Sequence, residues 1–208
     1  MSYNFGPTLL SWLEEYAPMA YERIIKADIT SRKLHGGHGN AIAQVYNHMI
    51  MPLANERDKQ TQVKWGKKDF EYRFGREPEG IWLAETAVDD DTLRVLVENG
   101  IKFTILSPYQ AQRIRKEGEA TWQDVSWGNI DPARAYRYFV KSDKTKHIDL
   151  FFYDGPISKS VAFDELLKDG NKFVNRLKDG ISTVSPLKRP AISLLNCSTS
   201  IHSRHSKS

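Results

Sequence analysis

Between residues 80 and 116 the sequence alternates short apolar runs with amphipathic stretches, and this alternation narrows the choice of fold more than any other segment does. Gly80–Ala84 is an apolar run suited to a buried strand. Asp89–Gly100 predicts a helix, because its acids favour the positive N-terminus and its glycine suits the position after the last turn. Ile101–Leu106 predicts a second strand and Pro108–Lys116 a second helix. This order is typical of an α/β fold with a parallel sheet or barrel.

The remaining elements follow from the same criteria. Proline near the first turn and apolar residues at helical spacing predict two helices near the N-terminus, and a long charged stretch predicts a surface helix. A nearly continuous apolar run near residue 150 is typical of a parallel strand covered on both faces. The predicted helices are Pro7–Tyr16, Pro18–Leu34, Asn55–Phe74 and one or two within Val161–Leu177, and the predicted strands or extended segments are Ala41–Tyr46, His48–Leu53, Tyr136–Val140 and His147–Tyr153.

The composition changes after Gly180. Residues 181–208 are rich in serine, contain no acid and show no sustained amphipathic period, so we expect a tail that is disordered or unrelated in origin to residues 3–180. The four basic residues of this tail account for the whole formal net charge of +4, so the rest of the chain is electrically balanced. A basic groove, and with it nucleic-acid binding, is not expected.

Cysteine content and hydropathy limit the cellular compartments in which the protein is expected. Cys197 is the single cysteine, which excludes a disulfide within the chain. No apolar run approaches the roughly 20 residues that span a bilayer, and acids stand where a signal peptide has its cleavage site. We therefore expect a cytoplasmic protein without membrane contact.

Two carboxylates follow predicted strands directly. Glu85 comes after the run that contains Trp82, and Asp154 comes after His147–Tyr153. In α/β barrels the reactive side chains lie at the carboxyl ends of the strands, and an indole beside a carboxylate offers a face on which a sugar ring stacks. The alternatives are a solvated acid that caps the next helix for Glu85 and an ordinary Asp-Gly turn for Asp154.

Three histidines raise the question of a metal site. His35 and His38 flank two glycines, which disfavours a helical ligand face, and no acid stands beside them as a third ligand, so no metal is expected. Hydrogen bonding to sugar hydroxyls is a better use of the histidines His35, His38 and His48, although a plain structural loop explains them equally well. No cofactor is expected.

Four segments of the chain carry a family resemblance: NFGPTLLSWLE at Asn4–Glu14, HGNAIAQVYNHMIMPLAN at His38–Asn55, PEGIWLAETAVD at Pro78–Asp89 and FFYDGPIS at Phe151–Ser158. In these segments the chain resembles glycoside hydrolase family 57, an α-glucan-active family built on an incomplete (β/α)7 barrel. The similarity runs from about residue 3 to about residue 180 and is strongest toward a subgroup of large bacterial proteins with an added C-terminal domain.

The resemblance implies roles for individual residues. It makes Glu85 the catalytic nucleophile of a retaining α-glucan hydrolase or glucanotransferase, with Ala84 in place of the proline that usually precedes it. It also implies that an α-glucan or maltooligosaccharide substrate contacts His38, Asn40, His48 and Trp82.

Two regions of the family are missing from the resemblance. The family's general acid lies in an Asp-Gly-Glu region, and its first strand carries a His-x-His-like segment; neither is present here. We therefore expect a partial (β/α)7-type barrel, incomplete at both ends, that is inactive alone. The alternative is a carbohydrate-binding remnant without catalysis.

Overall fold

The computed structural model describes residues 2–116, 118–179 and 191–194. The chain divides into two compact units, Met1–Thr104 and Ile105–Ser208, and the boundary between them falls inside a strand. In the described part of the chain no helix is long and apolar enough to cross a membrane.

The first unit alternates strands and helices as the sequence predicts. The elements in chain order are β1 (Tyr3–Asn4), α1 (Pro7–Tyr16), α2 (Pro18–Leu34), β2 (Ala41–Gln44), α3 (Glu56–Phe74), β3 (Gly80–Trp82), α4 (Asp90–Glu98) and β4 (Phe103–Leu106). In the described residues of this unit the strands lie parallel in the order β1, β2, β3, β4.

The two helices that follow β2 and β3 begin and end where their local sequence places them. The Asn55 side chain accepts a hydrogen bond from the Asp58 amide at 2.9 Å, and Gly75 ends α3 with a φ of 62°. Asp89 caps α4 by accepting from the Thr92 amide at 2.7 Å. Both helix predictions are confirmed, because the capping residues satisfy backbone groups that the helix itself leaves unpaired.

Gly66 does not interrupt α3; it lets the helix approach the sheet. A Cβ atom at this position would lie 2.1 Å from the carbonyl oxygen of Gln44, the last residue of β2. The absence of a side chain therefore permits close packing of α3 on β2, and α3 packs on α4 as well.

One face of the parallel sheet lies under these helices. Side chains alternate between faces along a strand, and on the covered face Ala43, Ile81 and Thr104 are almost completely buried. The opposite face carries Gln44 and Trp82, which are only partly buried. Packing on the covered face thus fixes the positions of Gln44 and Trp82, the last residues of β2 and β3, while their side chains stay partly accessible on the opposite face.

The second unit is mainly antiparallel. Its elements are β5 (Ala111–Arg115), β6 (Gln123–Asp124), β7 (Tyr136–Phe139), β8 (His147–Phe152), α5 (Gly155–Ala162), α6 (Gly170–Asp179) and β9 (Ala191–Leu194). β7 pairs antiparallel with β8, β5 pairs antiparallel with β6 and β9, and β9 pairs parallel with β7.

Several predicted elements differ from the structure. The helix predicted over Pro108–Lys116 is wrong: a 3-10 turn at Pro108–Gln110 leads into β5, which is held by pairing with β9. The apolar run near residue 150 forms a strand, β8, as predicted. However, β8 pairs antiparallel with β7, and its side chains alternate between buried and exposed, so the prediction of a strand covered on both faces is wrong. Met51–Leu53 is a 3-10 turn rather than an extended segment, since Pro52 suits its first positions.

The C-terminal helices and the tail also depart from the predicted pattern. α5 begins at Gly155, ahead of the predicted start at Val161, and α6 begins at Gly170. Residues 191–194 of the predicted tail form β9, and the rest of the tail, including Cys197, lies outside the described residues.

Candidate active site

His48 and Glu85 meet beyond the carboxyl ends of two neighbouring parallel strands. His48 follows β2, Glu85 follows β3, and the Nε2 atom of the imidazole lies 3.6 Å from Oε1 of the carboxylate. Their side chains are 54% and 75% exposed. Both groups are therefore accessible to a ligand at the edge of the sheet where barrel-type enzymes carry their reactive residues.

The backbone at both positions adopts a conformation that side chains other than glycine rarely occupy. The φ angles are 53° at His48, 54° at Glu85 and 52° at Thr86. Left-handed conformations of this kind are unfavourable by about 1–2 kcal/mol per residue and cluster at functional sites. The turn is closed by the Thr86 amide, which donates to the carbonyl of Leu83 at 3.0 Å.

A hydrogen-bonded chain of side chains runs from β1 to His48. Asn4 donates from Nδ2 to Oε1 of Gln44 at 3.2 Å. The other end of the Gln44 amide, Nε2, lies 2.6 Å from Nδ1 of His48. The register explains this contact, because Asn4 pairs with Ile42 and a residue two positions on, Gln44, points to the same face.

These two hydrogen bonds, from Asn4 to Gln44 and from Gln44 to His48, set the tautomer of His48. With Oε1 accepting from Asn4, the Nε2 amide group of Gln44 donates to His48, so Nδ1 of the imidazole is the acceptor. The neutral ring then carries its proton on Nε2, the atom that faces Glu85. The geometry thus aims a hydrogen-bond donor at the carboxylate.

Trp82 lies beside this cluster. It is the register partner of Gln44 across β2 and β3, so the two side chains project from the same face of the sheet. Its indole is partly exposed. An aromatic surface is therefore available next to His48 and Glu85.

His38 and Asn40 lie at the opposite end of β2. His38 hydrogen-bonds through Nδ1 to Glu79 at 2.8 Å, and the carbonyl of Asn40 accepts from the Tyr3 amide at 3.0 Å. The hydrogen bond from His38 lowers the pKa of Glu79, which also binds Lys102. The four residues of β2 place Asn40 about 13 Å from Gln44, the end of the strand beyond which His48 lies. The structure does not bring His38 or Asn40 to Glu85.

The second carboxylate singled out in the sequence caps a helix. Oδ1 of Asp154 accepts from the Ile157 amide at 2.8 Å at the start of α5, and Arg176 lies 3.6 Å from the same oxygen. Asp154 therefore has a structural use within the second unit.

Asn4 and Gln44 are absent from the site residues predicted above. The sequence shows only a single amide side chain, Gln44, at the end of an apolar run. Its contact with Asn4 depends on the register of β1 and β2, which the sequence alone does not indicate. Within the described residues no group of three or more His, Cys, Asp or Glu side chains is arranged to hold a metal ion.

Parallel strands alternating with helices, with a histidine and a carboxylate beyond their carboxyl ends, are the arrangement seen in α/β enzymes of the barrel type. The family profile of glycosyl hydrolase family 57 matches residues 30–194. The chain therefore belongs to this family.

Sequence relatives include two curated enzymes. The 4-alpha-glucanotransferase of Thermococcus litoralis is 24% identical over 166 residues, which cover 79% of this chain and 23% of that protein. Alpha-amylase 1 of Dictyoglomus thermophilum is 27% identical over 103 residues, which cover 50% of this chain and 14% of that protein. The chain spans less than a quarter of the length of either relative.

Solved structures share the fold. The crystal structure of 4-alpha-glucanotransferase from Thermococcus litoralis matches with a TM-score of 0.60 at 17% identity, over 94% of this chain and 34% of that one. An exo-type maltose-forming amylase from Pyrococcus sp. ST04 matches with a TM-score of 0.58 at 21% identity, over 87% and 28%. The prediction of an α/β fold that forms part of a (β/α)7-type barrel is confirmed.

Proposed function

We propose that this chain carries the nucleophile of a retaining hydrolase or glucanotransferase that acts on α-glucans, and that Glu85 is this nucleophile. The observation that carries the proposal is an exposed carboxylate beyond a central parallel strand, 3.6 Å from His48, in a chain of glycosyl hydrolase family 57. An amylase and a glucanotransferase among its relatives support an α-glucan as substrate.

The chemistry requires a carboxylate that reaches the anomeric carbon. An oxygen of Glu85 forms a bond to C1, and the bond between C1 and the leaving oxygen breaks with its electron pair. Water or a glucan hydroxyl then displaces the glutamate, which gives hydrolysis or transfer. The 75% exposure of the Glu85 side chain supports this role, because an exposed carboxylate is open to an approaching sugar.

His48 and Trp82 have supporting roles in this proposal. The Nε2–H group of His48 faces the Glu85 carboxylate at 3.6 Å, an electrostatic contact that favours the carboxylate at the end of β3. The partly exposed indole of Trp82 offers its face to the C–H surface of a pyranose ring. His38 and Asn40 lie at the other end of β2, and we assign them no contact with the reacting sugar.

We further propose that the general acid is not among these 208 residues. Retaining glycosidases hold two carboxyl groups about 5–5.5 Å apart, and loss of a general acid lowers rates by about 10²–10⁴. The sequence contains no Asp-Gly-Glu segment. The chain alone then reacts only with donors whose leaving group departs without a proton.

A donor with a fluoride leaving group tests this proposal. The chain is incubated with 5-fluoro-α-glucosyl fluoride, in which C1 loses fluoride unaided and the 5-fluoro group slows release of the sugar. Intact-mass spectrometry is expected to show one added fluoroglucosyl unit. Glu85→Gln is expected to abolish the adduct.

Glu77→Gln is the matched control, since the Glu77 side chain is also 75% exposed but precedes β3 instead of following it. This variant is expected to form the adduct as the wild type does. Labelling that survives Glu85→Gln, or that Glu77→Gln removes equally, refutes the assignment.

Binding without turnover is the second candidate function, favoured by the partly exposed Trp82 beside Gln44. It predicts saturable binding of maltooligosaccharides with no adduct from the fluoride donor. Calorimetry on the wild type and on Trp82→Ala separates it from the first proposal, which requires the adduct.

A further inference from the structure

An aromatic cleft lies between α3 and the loop after β2, and its lining residues are different from those of the cluster around Glu85. It has a volume of about 450 Å³ and is lined by Tyr46, Trp65, Lys68, Asp69 and Tyr72. Four of these residues recur on one face of α3, because positions three, four and seven apart are neighbours on a helix. Tyr46 comes from the loop after β2.

The aromatic rings of the cleft are exposed but held in place. Trp65 is 53% and Tyr72 75% exposed. Tyr46 meets Trp65 edge to face with the ring centroids 5.5 Å apart, and the Arg73 guanidinium lies 5.9 Å from the centre of the Tyr72 ring. These contacts restrain the rings while much of their surface stays exposed to a ligand.

The polar groups of the cleft are balanced in charge. Lys68 pairs with Glu71 at 2.7 Å, and the carboxylate of Asp69 accepts from Nε of Arg73 at 3.0 Å. One cation and one anion, each already paired, favour a neutral ligand with hydroxyl groups over a phosphate or an acidic peptide. Apolar faces with a few hydrogen-bonding groups are the usual composition of a binding cleft.

The length of the cleft indicates more than one sugar ring. Trp65 and Tyr72 are two helical turns apart, about 10 Å along the axis of α3. Two aromatic faces at this separation contact different rings of a chain of sugars. A single glucose cannot span both.

We propose that this cleft is an auxiliary binding site for α-linked glucan chains, separate from the site at Glu85. The choice of an α-glucan rests on the proposed function, whereas the choice of a neutral oligosaccharide rests on the cleft itself. Trp65 and Tyr72 stack on the sugar rings, and Lys68 and Asp69 hydrogen-bond their hydroxyls.

The test follows individual indole N–H signals of the full ¹⁵N-labelled chain during titration with maltoheptaose. Trp→Phe variants assign the signals. Trp65 is expected to shift with a saturable dependence on concentration. Trp12 is the matched control, because it is exposed to the same 53% on α1, and it is expected to stay unchanged. Tyr72→Ala is expected to weaken binding at Trp65 roughly tenfold.

Trp82 reports the site at Glu85 separately. A shift at Trp65 without one at Trp82 supports glucan binding in the cleft and counts against binding at Glu85. A shift at Trp82 without one at Trp65 overturns the proposal for the cleft and leaves the proposal for Glu85 standing. Equal shifts at Trp65 and Trp12 also overturn the proposal. The absence of a shift at Trp65 overturns it too, and means that the cleft serves to bind another segment of polypeptide. An equal response to cellohexaose overturns the assignment to α-linked chains.

Discussion

Nε2 of His48 lies 3.6 Å from Oε1 of Glu85, and both residues have left-handed backbone conformations. The parallel pairing of β2 with β3 brings these two turns to the same edge of the sheet. Gln44, behind His48, donates to Nδ1 and so leaves the ring proton on Nε2, the nitrogen that faces the carboxylate. The candidate site thus depends on the strand register and on the positive φ angles of His48, Glu85 and Thr86.

The tautomer of His48 is predicted to depend on Gln44. In the wild type, imidazole ¹⁵N shifts at alkaline pH, where free imidazole is neutral, are expected to show the proton on Nε2. Gln44→Glu replaces the donor with a carboxylate that only accepts, so the proton is expected to move to Nδ1. Gln60→Glu on α3 is the control and should leave the tautomer unchanged. A wild-type proton on Nδ1 contradicts the hydrogen-bonded chain from Asn4.

Glycine at position 85 is predicted to stabilise the turn. Because Glu85 has a φ of 54°, Glu85→Gly is expected to be more stable than Glu85→Ala by about 1 kcal/mol, measured as the free energy of unfolding in urea. At Glu77, which lacks a positive φ, the glycine variant is expected to be the less stable of the two. Equal stabilities at position 85 would mean that the turn is not strained.

The buried pair of Asp28 and Arg76 makes stability fall in acid. Burial alone raises the pKa of Asp28, but hydrogen bonds from Arg76 and the Ala41 amide outweigh it and hold the pKa below its usual value. The pair's contribution is therefore present above the unfolded-state pKa of about 3.9 and is lost as pH falls through the lower folded-state pKa.

Asp28→Asn tests this pair through urea unfolding at several pH values. The variant is expected to lose about 3–5 kcal/mol at neutral pH, since Arg76 stays largely buried without its partner, and to lose less stability in acid than the wild type. Lys168→Gln, which breaks an exposed pair with Glu165, is expected to change stability by less than about 0.5 kcal/mol. An unchanged acid dependence in Asp28→Asn would refute the role of the pair.

Gly66 is predicted to be irreplaceable despite its place inside a helix. Gly66→Ala would put a Cβ atom 2.1 Å from the carbonyl oxygen of Gln44, so α3 must move away from β2 at a cost of about 1–3 kcal/mol. Lys64→Ala, on an exposed position of the same helix, serves as the control in thermal unfolding. A Gly66→Ala variant as stable as the wild type would show that the helix does not pack this closely.

The elements that local sequence specifies were predictable. α4 has its cap at Asp89 and a glycine at Gly100 with a φ of 77°, and both were recognisable from the sequence. β5 was not, because Pro108–Lys116 carries no strong strand pattern. Its backbone is satisfied by β9, a segment about 80 residues away in the sequence, and no local pattern reports such a partner.

The candidate site shows the same division. The place of Glu85 after a strand followed from its apolar run, and the resemblance to the family suggested its role. Its contact with His48 and the link from Asn4 to Gln44 depend on the register of β1, β2 and β3. His38 stands near His48 in the sequence, yet β2 carries the two to opposite ends of the sheet.

Locating the sugar after reaction with 5-fluoro-α-glucosyl fluoride is the most direct measurement. The trapped chain is digested at acidic pH, which preserves the glycosyl ester, and the modified peptide is sequenced by tandem mass spectrometry. The fluoroglucosyl group is expected on Glu85, within the peptide that contains Trp82. A label on any other carboxylate, or a chain that stays unlabelled while it binds maltoheptaose at Trp82, would contradict the assignment of Glu85 as the nucleophile.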